Sequence, residues 1–132
     1  MKKGIVFIFV SMICMNVFSE TSDSMGSAIH WLEIIDSEKY EQSWHEAAPF
    51  FKNQMGKAQW MQALNRVRLP LGSVQSRKVK SANEHTSLPN APDGEYVVIT
   101  LVTDFEKKNA SIETITVSKV DNEWKAVGYF IK

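Results

Sequence analysis

The chain holds a single cysteine, Cys14, inside an apolar segment near its start. No disulfide can form within it, and beyond Cys14 there is neither a thiol nucleophile nor a thiolate for a metal site. A surplus of charge of one sign is absent as well. Fifteen Lys and Arg balance fifteen Asp and Glu, so nothing favours nucleic acid or an anionic membrane surface. After residue 19 no apolar run approaches the roughly 18 to 20 residues that cross a bilayer. No glycine-rich phosphate loop, internal repeat or low-complexity run occurs, and Ser43, Ser73 and Ser76 lack the strand-turn-helix elbow of a hydrolase nucleophile. His30, His45 and His85 have no metal-ligand spacing and read as surface residues, so neither a metal nor a cofactor is expected.

What is present begins at the N-terminus. Lys2 and Lys3 precede the apolar stretch Ile5 to Val10, which continues through Met12 to Met15 and ends in compact residues at Val17 and Ser19, before the polar run Glu20, Thr21, Ser22, Asp23. This is the layout of a secretory signal peptide, with cleavage expected after Ser19 and a periplasmic or secreted product. A lipid anchor would need a small residue before Cys14, where Ile13 stands. Removing nineteen of the 132 residues leaves 113, enough for one core, so residues 20–132 are expected to form a single domain. Loss of Lys2 and Lys3 leaves thirteen basic against fifteen acidic residues, a net charge of −2.

The periodicity predicts three helices. Ala28, Trp31, Leu32 and Ile35 recur at helical spacing. A second helix opens with Asp36 or Ser37 as N-cap, sets Tyr40, Trp44, Ala47, Ala48 and Phe51 on one side, and is cut or kinked by Pro49. Trp60, Ala63, Leu64 and Val67 form the face of a third, which Pro70 stops. The pattern then turns to strands: a polar edge strand over Ser73 to Ala82, a strong one over Tyr96 to Phe105 with both faces covered, and two more over Ile112 to Val120 and Trp124 to Ile131. Tight turns are expected at Asp93-Gly94 and, as a hairpin, at Asp121-Asn122. Helices first and strands afterwards predict an α+β domain, three helices on one face of a four-stranded antiparallel sheet with a cone-like or cystatin-like curl.

Two resemblances follow from particular residues. The stretch Trp31 to Trp44, where one helix ends at Ile34-Ile35-Asp36 and the next opens near Tyr40, resembles the entry to domains of the nuclear-transport-factor-2-like superfold. A longer string is similar to the DUF4019 family of small exported bacterial domains of unknown function: Trp31, Asp36, Tyr40, Ser43-Trp44, Phe51, Trp60, Arg68, Leu71-Gly72, Arg77, Leu88-Pro89, Pro92-Asp93-Gly94-Glu95-Tyr96, Phe105, Lys108, Glu113-Thr114, Trp124 and Gly128-Tyr129. Asn122-Glu123 before Trp124 departs from the Asp-Gly expected there. The resemblance implies an exported bacterial domain and no particular activity.

Candidate chemistry rests on few residues. Glu113 shares a strand face with Ile115 and Val117, which makes it an inward carboxylate: a general base in a pocket, or the partner of Arg68 or Arg77 in an ion pair that fixes helices to sheet. The superfold resemblance implies an acid and phenol pair at Asp36 and Tyr40 for isomerase or dehydratase proton transfer, whereas Asp36 reads more simply as a helix cap. Trp31, Trp44, Trp60, Trp124, Tyr40, Tyr96 and Tyr129 are core aromatics or the lining of a site for sugar, lipid or peptide. Trp44, Tyr96, Arg68 and Arg77 are the candidate binding residues. The sequence favours a non-enzymatic binding or assembly module, its partner an unidentified small ligand, a protein or a second copy across the sheet, over a small pocket enzyme.

Overall fold

The computed structural model describes the backbone from residue 15 and side chains from residue 22, to residue 132. Residues 1–14, which hold the basic start and most of the apolar stretch of the expected signal peptide together with Cys14, lie outside the described residues. Among the described residues four helices and a 3-10 turn precede four strands: α1 (Met15–Asp36), α2 (Tyr40–Glu46), α3 (Pro49–Gln54), α4 (Lys57–Val67), the turn Leu69–Leu71, then β1 (Val74–His85), β2 (Tyr96–Phe105), β3 (Lys108–Val120) and β4 (Glu123–Ile131). The α+β class holds. The expected count of three helices does not, because Pro49 starts a new helix at its first turn, where a missing N–H costs nothing, and so places Phe51 in α3. Asp36 is likewise no N-cap: α2 begins after Lys39, without a side-chain cap, and Asp36 is the last residue of α1.

The sheet is an antiparallel meander in the order β1-β2-β3-β4. Polar β1 lies at an edge, where register shifts at Val74/Ser76 and Val79/Ser81 interrupt the pairing. Asp121 and Asn122, at φ 50° and 65°, make the two-residue turn between β3 and β4, as their tolerance of positive φ predicts. In the long loop before β2 the hydrogen-bonded turn sits at Pro89-Asn90, not at Asp93-Gly94: Ala91 N–H donates to Leu88 O at 3.3 Å and Asn90 takes φ 61°. Gly72, at φ 77°, swings the chain from the helices into β1, and a Cβ there would meet Glu106 Oε2 at 2.7 Å.

Helix α1 lies across β2, β3 and β4 and buries Ala28, Trp31, Leu32, Ile34 and Ile35. The inward residues of the sheet, Val97, Ile99, Leu101, Phe105, Ile115, Val117 and Ala126, complete this core. Its centre is aromatic. Trp31 and Trp60 stack at 5.8 Å between ring centroids, and Phe51 meets Trp60 edge-on at 5.0 Å. Buried Ser43 ties the two indoles together: Trp31 Nε1 donates to its carbonyl at 2.8 Å and Trp60 Nε1 to its hydroxyl at 2.9 Å. The opposite face of β2 is not covered as expected. Val98, Thr100 and Val102 are only half-buried there, and just its first residue, Tyr96, is closed over, with its hydroxyl donating to Pro92 O in the preceding loop.

Candidate functional site

Alternation along β2 and β3 turns Thr103 and Glu113 toward the helices, two residues out of step in register. Arg77 of β1 lies directly opposite Thr103, and Tyr129 of β4 shares this inward face. The C-terminus of α1 brings Asp36 to the same point, and the end of α4 brings Arg68. Two arginines and two carboxylates, far apart in sequence, thus gather at one end of the helix–sheet interface.

Arg77 is the hub. Its Nη1 and Nη2 donate to Asp36 Oδ2 and Oδ1 at 2.7 and 2.9 Å, and its Nε and Nη2 to Glu113 Oε1 and Oε2 at 2.8 and 3.3 Å. Arg68 Nη2 donates to Asp36 Oδ1 at 2.8 Å, while its Nη1 stands 3.8 Å from Glu113 Oε2 and its guanidinium lies 4.7 Å from the centre of the Phe105 ring. Glu113, wholly buried, also accepts from the hydroxyls of Thr103 and Tyr129. Four hydrogen bonds occupy the roughly four lone-pair sites of one carboxylate. Two positive and two negative charges balance, which is the condition for holding ions out of water.

Titration follows the same geometry. Burial works against the charge of Arg77, but Asp36 and Glu113 more than offset it and its pKa is raised. Arg68 moves the same way: burial opposes its charge, and Tyr129, Asp36 and Glu113 outweigh that. Burial first, then the charge of Glu113, pushes the Tyr129 phenol well above its usual range. Tyr40 is also raised, chiefly by burial and next by Glu38.

The remaining candidates are placed as follows. Tyr40 and Asp36 both border a small hollow of about 220 Å³ beside Arg68, Gly72 and Glu106, yet both Asp36 oxygens are taken by guanidinium groups. Trp44 lies away from the cluster, donating its indole N–H to Met55 O at 2.8 Å with Lys52 Nζ 5.7 Å from its ring. His30, His45 and His85 are exposed, and no group of three or more metal-ligating side chains exists among the described residues. Sequence reasoning missed Thr103 and Ser43. Thr103 falls between Leu101 and Phe105 in the alternation of β2, a signal available in the sequence; Ser43 gave none, since its role depends on two tryptophans from other helices.

Helices on one face of a four-stranded meander, with a neutral charge cluster at one end, define an α+β domain. The chain belongs to the DUF4019 family, a protein family of unknown function, whose model matches residues 27–129. Every member of the cluster falls within that span. No curated protein matches the chain. No helix among the described residues is long and apolar enough to cross a membrane.

Proposed function

We propose that the protein is an exported, non-enzymatic binding or assembly module, and that the outer face of its sheet is a contact surface for a second copy. The observation that carries this reading is the contrast between consumed and unconsumed groups. The acid and base candidates are committed to one another, whereas the outer face carries Val98, Val102, Ile112 and Phe130 with its threonines half-buried at most. Phe130, 54% exposed, is the most open large apolar side chain described. Four strands of about ten residues present a face of about 600 Å², close to the roughly 800 Å² per partner of a standard interface. A self-complementary sheet face is a form of two-fold assembly.

Sedimentation equilibrium tests it. The chain should be dimeric at high micromolar concentration, and Phe130→Asp should make it monomeric while leaving urea stability within about 0.5 kcal/mol. A monomeric parent chain, or a dimer that Phe130→Asp leaves intact, would remove this face from the account.

A further inference from the structure

The other end of the helix–sheet interface is open. Between the first described turns of α1 and the β3–β4 hairpin lies a hollow of about 830 Å³, walled by Asp23, His45, Glu46, Lys119, Asn122 and Trp124 among others. A second hollow, of about 480 Å³, reaches Trp124 from the side of the β1–β2 loop and Tyr96. Trp124 is the plate they share. It differs from the other three tryptophans in a specific way: Trp31, Trp44 and Trp60 each donate their indole N–H to a protein acceptor, and Trp124 has none among the described residues. One part of its ring packs on the core, and it remains half-buried rather than buried. Lys119 Nζ stands 6.0 Å from the ring centre, at the limit of a cation–π contact.

We infer that this hollow binds a neutral oligosaccharide, with Trp124 as the platform on which a pyranose ring lies. An aromatic π face is electron-rich and attracts the polarised C–H groups of a sugar's apolar side. Carboxylate, amide and imidazole groups of the kind around it pair with neighbouring hydroxyls, as donors and acceptors in fixed planes. The charges flanking the ring are mixed, Asp23, Glu46 and Glu123 against Lys119 and Lys125, so the hollow offers an anion no net attraction. Its volume lies within the range of ligand sites and accommodates two or three sugar rings. The site is on the helix side of the sheet, so it goes beyond the assembly reading and stands or falls separately from it.

The test uses the 15N-labelled purified chain, whose four indole N–H signals report on the four tryptophans. Maltotriose, cellotriose and triacetylchitotriose are each titrated to about 10 mM, the range in which weak saccharide contacts register. With at least one of them the Trp124 signal should shift saturably while the core indoles of Trp31 and Trp60 stay in place, and Trp124→Ala should weaken binding at least tenfold with those two signals unmoved. Phe130→Asp should leave the titration unchanged, which separates this result from the fate of the dimer. No Trp124 shift with any of the three sugars, or binding that survives Trp124→Ala, would overturn the inference.

Discussion

The two ends of the helix–sheet interface are built from similar residues and behave oppositely. At one end Asp36, Arg68, Arg77, Glu113, Thr103 and Tyr129 bond mainly to one another, with Glu113 wholly buried, Asp36 at the margin and the buried Nε of Arg68 left without a partner; at the other, Asp23, Glu46, Lys119, Lys125 and Trp124 line an open hollow. Residue type alone does not say which groups work on the fold and which on a ligand. Partnership does. A carboxylate with four internal hydrogen bonds is architecture, and an indole with no protein acceptor is available.

The comparison breaks most visibly in the core that joins the two ends. Trp60→Ala removes a buried indole stacked on Trp31 and bonded to Ser43, and should cost about 3 to 5 kcal/mol in urea unfolding, a large part of a small domain's stability. A loss below about 1 kcal/mol would mean that the aromatic centre is not packed.

Alkaline pH acts on the closed end next. Tyr129 and Tyr40 have raised pKa values in the folded state, so above the ordinary phenol value of about 10 the unfolded chain loses protons that the folded one keeps, and stability falls as pH rises. Below that pH the contribution is fully present. Tyrosinate absorbance of the folded chain should lag behind that of the urea-unfolded chain; superimposed titrations would put both phenols in water. Trp124→Ala should have the smallest effect, about 1 kcal/mol of stability, because its half-open ring leaves a shallow gap rather than a buried cavity. A cost equal to that of Trp60→Ala would make the open end part of the core.

Much of this could be read from the sequence, and the limits have physical causes. Strand alternation placed Glu113 inward and named its two arginine partners as one alternative, and Asp121-Asn122 announced its hairpin. A short acidic residue between two helical patterns carries the same local signal whether it caps a helix or reaches across to a guanidinium, so the sequence alone presents Asp36 as a cap. Pro49 stops or starts a helix depending on whether the chain has already left the preceding one, which the local sequence does not tell. The division of labour among the tryptophans was invisible, since an indole's acceptor lies elsewhere in the chain.

The most direct measurement is a double-mutant cycle on Glu113 and Arg77 in urea unfolding. Glu113→Gln leaves two buried guanidinium groups with one carboxylate and should cost about 3 to 5 kcal/mol, and Arg77→Gln should cost a similar amount. The double variant leaves Asp36 with Arg68, so it should be more stable than the sum of the single losses implies, by about 1 to 3 kcal/mol. Coupling of that size would show that the charges at this end serve the fold. A stability gain on Glu113→Gln, with no coupling to Arg77, would contradict the account and mark Glu113 as a carboxylate held against the fold for chemistry.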